Sequence, residues 1–143
     1  MSDPTAPAPP HASSDVSYTG GLADSLGIRI LELTAERVVA TMPVDHRTRQ
    51  PFGILHGGAS VALAETIASL GAIANVDRAV SNVVGVEINA NHIRAKSEGV
   101  VTGTGTPVHV GRSTQVWEIR MVDEQSRLIC LSRCTLAVVH KRP

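Results

Sequence analysis

Aromatic side chains are almost missing: Tyr18, Phe52 and Trp117 are the only three in 143 residues. Without them no stacking platform for single-stranded nucleic acid can be built. A basic excess is missing too, because 13 Lys and Arg stand against 13 Asp and Glu. Neutralising phosphates needs such an excess, so nucleic acid is excluded as a partner. Charge is sparse at 18% of residues, which leaves a surface compatible with self-association.

Cysteine is equally scarce, with Cys130 and Cys134 alone. On one strand they stand about 13 Å apart, whereas a disulfide spans at most about 7 Å. They share the parity of Leu128, Leu136 and Val138, as buried core thiols do. No CxxC occurs, and the six histidines (His11, His46, His56, His92, His109 and His140) form no HExxH or other ligand spacing. Gly103 and Gly105 lie in a strand pattern and open no helix, so they are no dinucleotide fingerprint. Neither metal nor other cofactor is expected, and the chain reads as reduced and cytoplasmic.

What is present fits one α+β domain. Residues 1–17 are rich in Pro, Ala and Ser and lack the basic start and apolar stretch of a secretory signal. They are expected to be a disordered tail before a domain at 18–143. The apolar run 54–76 is long enough for a membrane, but Glu65 lies in its middle. A central carboxylate costs about 3 kcal/mol in lipid, so a buried helix is expected and no membrane partner. That helix runs from His56 or Gly57 to about Asn75 and is apolar on nearly every face, as in an element wrapped by a sheet. A short helix at 20–26 and a hairpin of 29–33 with 37–44 precede it. Strands at 83–94, 99–108, 113–122 and 128–139 come after it, the last two joined by a turn at 123–126. In the first of these, Val84, Val86, Ile88 and Ala90 are expected to share a face. The order predicts one curved antiparallel sheet around one long helix.

Between Arg49 and Asp77 the only charged side chain is Glu65. A carboxylate buried there needs a reason: an ion pair to a strand, or work as a general base or nucleophile tuned by burial. Ser69 lies one turn on, over the same helix face. His56, Gly57 and Gly58 open the helix, where unsatisfied N–H groups and the dipole favour an oxyanion. Gly57 N–H would then polarise a carbonyl, with Gln50 adding a second hydrogen bond. The same glycines would equally serve a tight turn, and His56 a cap. Gly57 and Glu65 stand about 12 Å apart along one helix. One reacting carbonyl cannot reach both, so joint action requires a second protomer. Basic groups at His92, Arg94, Lys96, His109 and Arg112 form either a solvated sheet rim or an anchor for phosphates.

The segments QPFGILHGGASVALAET (50–66) and GVEINANHIR (85–94) resemble hot-dog-fold acyl-CoA thioesterases. The likeness is to the 4-hydroxybenzoyl-CoA and phenylacetate-type group, on the branch of 1,4-dihydroxy-2-naphthoyl-CoA hydrolase and the enterobactin proofreading thioesterase. It spans residues 20–139. The resemblance implies hydrolysis of an acyl-CoA, aromatic or otherwise bulky, without cofactor, in a homotetramer of two dimers. It matches Glu65 to the catalytic carboxylate, Gly57 to the carbonyl donor, and Gln50 and His56 to groups holding the thioester. Ser69 stands where relatives assist the second step. Gly85 and His92, Ile93, Arg94 and Ala95 match the strand along the CoA path. His109, Val110, Gly111, Arg112, Ser113 and Thr114 match the loop that continues it. A hot-dog hydratase or dehydratase, and a non-catalytic acyl-CoA binding module, are the alternatives.

Overall fold

The computed structural model describes residues 20–142, so the expected tail at 1–17 lies outside the described residues. The elements run α1 (Gly21–Ser25), β1 (Arg29–Leu33), β2 (Val38–Pro43), α2 (Gly57–Ile73), β3 (Ser81–His92), β4 (Val100–Val110), β5 (Thr114–Val122) and β6 (Leu128–His140). The strands form one antiparallel sheet in the order β1-β2-β4-β5-β6-β3. This is the expected α+β hot-dog architecture, with α2 against the inner face of the sheet.

The helix begins where His56 caps it: the imidazole Nδ1 accepts the Gly58 N–H at 2.7 Å. It stops at Ile73, and just beyond it the Asn75 side-chain amide donates to Gly71 O and across to Ala35 O. Its inner side, Leu63, Ala64, Ile67, Ala68 and Ala72, is fully buried against Val101, Trp117, Ile119 and Met121. Two close approaches set how deep it sits. A Cβ at Gly103 would lie 2.6 Å from Ile67 Cδ1, and one at Gly71 would collide with the Trp117 ring. The one buried amide in this core is satisfied. Gln115 donates to Ala72 O at 3.2 Å and accepts the Trp117 indole N–H at 3.0 Å.

β3 departs from the expected alternation. The pairing with β6 slips between Gly85 and Glu87, so Val86 is an extra, bulged residue. Val83 packs on the core before the bulge, and Ile88 and Ala90 do so after it. Val84 and Val86 instead point away, 49% and 64% exposed. A one-residue slip moves every later side chain to the other face, and period-two reading assumes no slip. A second slip, at Val108, lies near the end of β4.

Cys130 and Cys134 are free and buried on β6, as expected. Burial pushes the Cys134 thiol up to about 11, and the Glu65 and Glu87 carboxylates add to the shift. Both thiols are therefore expected to resist alkylation at pH 8 in the folded protein and to react once it is unfolded by guanidinium, as mass spectrometry would show. The unfolded thiol loses its proton near its ordinary value of 9.0 and the folded one only near 11, so the contribution of Cys134 to stability falls as pH rises across that window.

Candidate active site

The loop between β2 and α2 is pinned by polar contacts before it reaches the helix. Asp45 accepts from the Arg47 backbone and guanidinium, which hold its carboxyl at about 2. Thr48 is buried, its hydroxyl donating to Pro43 O at 2.8 Å and accepting Asp45 N–H at 3.1 Å. Arg49 Nε reaches Ser97 O at 2.7 Å. Leu55 N–H donates to Lys96 O and His56 N–H to Thr48 O. Together these bonds fix Gln50 and the start of α2 against the β3–β4 connection.

A cleft of about 370 Å³ opens at that junction, and Gln50, Gly57, His92, Ile93, Arg94 and Ala95 line it. All six are residues singled out from the sequence. Ile54, Leu55, Ile129 and Ser60 complete the wall. Ser60 lies three residues after Gly57, and only helical spacing would have pointed to it. Among the described residues, Gly57 N–H has no acceptor, whereas His56 Nδ1 takes the Gly58 N–H. His56 thus acts as the cap. The space beside Gly57 is filled by the His92 ring, since a Cβ at Gly57 would lie 2.8 Å from His92 Nε2.

Glu65 lies two turns further along α2. Gly57, Val61, Glu65, Ser69 and Ile73 recur at every fourth position and all remain partly exposed. The core contacts of the helix lie on its opposite side, so the carboxylate is partly covered and not sealed in as its apolar surroundings had implied. None of the ion pairs among the described residues involves Glu65. Its carboxyl carbon lies 3.6 Å from where a Cβ on Gly85 would be, and Oε1 would collide with that atom. Any side chain at 85 would displace the carboxylate. Gly85 therefore belongs with Glu65 rather than with His92.

His109 to Thr114 occupy the other end of the sheet. His92 pairs with Cys130 and Thr114 with Ala137, and those two partners stand about 23 Å apart along β6. One chain does not bring the two expected CoA-binding segments together. The turn itself is tight: Gly111 N–H donates to Thr114 O at 2.9 Å, and a Cβ at Gly111 would lie 2.8 Å from that oxygen. Beyond Ala95 a second, polar basin of about 650 Å³ contains Lys96 paired with Glu124. The Lys96 ammonium and the Val100 N–H hold the Glu124 carboxyl at about 2. Among the described residues no cluster of His, Cys, Asp and Glu is arranged to hold a metal ion. No helix there is long and apolar enough to cross a membrane.

A six-stranded antiparallel sheet folded around one helix, with a cleft at the helix N-terminus, is the hot-dog fold of thioester hydrolases. A family model described as the thioesterase superfamily matches residues 52–130. The chain is 48% identical over 122 residues to a 1,4-dihydroxy-2-naphthoyl-CoA hydrolase of Listeria monocytogenes, covering 85% of this chain and 98% of that one. It is 51% identical over 125 residues to the proofreading thioesterase EntH of Cronobacter turicensis, covering 87% and 90%. A crystal structure of a variant of thioesterase PA1618 from Pseudomonas aeruginosa superposes with a TM-score of 0.81 at 45% identity, over 83% of this chain and 86% of that one. The chain belongs to the thioesterase superfamily and is a thioester hydrolase.

The contact between Gly57 and His92 yields a test. In Gly57→Ala the new methyl must push the imidazole aside, and kcat/KM for thioester hydrolysis is expected to fall about 10- to 100-fold. Steady-state kinetics and a thermal melt on the same sample separate that loss from unfolding.

Proposed function

We propose that this protein is a cytoplasmic acyl-CoA thioesterase that hydrolyses aromatic or otherwise bulky acyl-CoA to the free acid and CoA. The observation that carries this reading is Glu65: a carboxylate in an apolar helix, unpaired among the described residues, on its partly exposed face. Gly57 N–H polarises the thioester carbonyl, helped by Gln50. Glu65 then attacks the carbonyl carbon, or takes a proton from the water that does. The C–S bond breaks, CoA leaves as the thiolate, and Ser69, one turn beyond Glu65, orients the water. The acyl class rests on the likeness to a 1,4-dihydroxy-2-naphthoyl-CoA hydrolase and on the apolar wall of Ile54, Leu55 and Ile129.

The site lies between two protomers. Gly57 of one chain meets the partner's Glu65 if a two-fold axis passes beside Val61, midway between them. His92 packs on Gly57 and Gly85 on Glu65. The same axis therefore crosses β3 midway between 85 and 92, at Ile88 and Asn89. β3 is an edge strand with Val84 and Val86 exposed, so its free edge is available to pair with its own copy. One axis thus serves both the helix and the free edge of β3. That axis also carries the partner's segment 109–114 toward the cleft lined by His92 to Ala95. Two such dimers form the proposed tetramer.

Release of free thiol from a panel of aromatic and aliphatic acyl-CoAs tests the activity. Glu65→Gln is expected to lower kcat by about 10³-fold, and a folded, dimeric Glu65→Gln variant with wild-type turnover would overturn the reading. Mixing tests the shared site. Glu65→Gln and Gly57→Val chains, each inactive alone, should regain about a quarter of wild-type activity when unfolded and refolded together, because half the dimers are mixed and each has one intact site. A site confined to one chain would regain none.

A further inference from the structure

We infer that His92 is a catalytic residue that donates a hydrogen bond from Nε2 to the thioester carbonyl oxygen, beside the Gly57 N–H. This rests on the thioesterase reading and changes what the strand end at His92 does within it. The resemblance puts His92 on the CoA path, yet the imidazole lies against the first residue of α2. A Cβ built on Gly57 would be 2.8 Å from Nε2 and 3.0 Å from Cε1. That Cβ position is itself about 2.5 Å from Gly57 N by covalent geometry. Nε2 and the Gly57 nitrogen are thus within about 5 Å of each other. Two donors so spaced can share one acceptor oxygen at about 2.9 Å from each.

The other polar groups nearby are each held by one contact, which leaves the Gln50 side-chain NH2 free for its supporting bond to the carbonyl. His56 Nδ1 and the Gly58 N–H satisfy one another. Gln50 Oε1 accepts the Phe52 N–H, which holds that amide in the loop. The phosphates of CoA lie a whole pantetheine arm from the thioester, so a ring resting on the carbonyl donor cannot also reach them. A neutral imidazole has one N–H, and the tautomer protonated at Nε2 presents it to the cleft. No proton moves in this role: the N–H strengthens its hold on the oxygen as negative charge develops there, while water adds and the thiolate departs. Glycine at 57 has a second purpose on this view, to admit the imidazole.

The test compares a full acyl-CoA with the corresponding acyl-pantetheine, which has the thioester but no nucleotide. His92 is exposed, so replacing it leaves the core untouched. His92→Leu is expected to lower kcat about 10²-fold on both substrates, with little change in KM. His92→Gln, which keeps an N–H, should retain roughly tenfold more activity than His92→Leu. A loss confined to the full acyl-CoA and expressed in KM would assign His92 to the nucleotide and overturn the inference. Wild-type rates in His92→Leu would overturn it as well, with the hydrolase reading intact. Wild-type protein inert toward both thioesters would sink the hydrolase reading and this inference together.

Discussion

Gly71 against the Trp117 ring, and Gly103 against Ile67, let α2 settle onto the sheet more closely than larger residues would permit. The depth of that seat decides which side of the helix is spent on packing and which is left for chemistry. The inner side is fully covered by β4, β5 and β6, with Gln115 joining the last turn to the sheet. The outer side is covered by its own chain only where β3 reaches it, with Gly85 at Glu65 and His92 at Gly57. Glu65 and Ser69 fall on that side, together with the first N–H of the helix at Gly57. A shallower helix would leave the carboxylate far from Gly85 and from the free edge of β3. Packing and the proposed chemistry are therefore set by the same small residues.

Polar groups divide by the same logic. Those that shape the site are anchored in pairs: Asp45 with Arg47, Thr48 with Pro43, Arg49 with Ser97, Lys96 with Glu124. On the cleft and the partly open helix side, the Glu65 carboxylate and the Gly57 N–H are without partners among the described residues, which is the condition for engaging something else. The loop that holds Gln50 gains its rigidity from contacts to residues 96 and 97, so it moves with the end of β3 and not independently of it.

The extent of α2, the order of the strands, the buried thiols and six of the cleft residues are legible in the sequence, through periodicity, capping and the resemblance. Three features are not. The slips at Val86 and Val108 leave no compositional mark, because an extra residue in a strand of valines looks like the rest of it. The openness around Glu65 is hidden as well: a helix apolar all round looks alike whether its own sheet or a second chain covers it. Thr48, Ser60 and the Arg49–Ser97 bond depend on contacts between segments as far as 48 residues apart, beyond any local pattern.

The two ends of the sheet carry different pieces of the proposed chemistry, His92 with Gly57 at one and segment 109–114 at the other, across a stiff span of about 23 Å. No hinge in a continuous antiparallel ladder can fold such a plate back on itself. On the proposed division of the site, a protomer newly released from the ribosome would be chemically silent until it met its twin. Abundance in the cell would then govern not only how much enzyme there is but what fraction of it works.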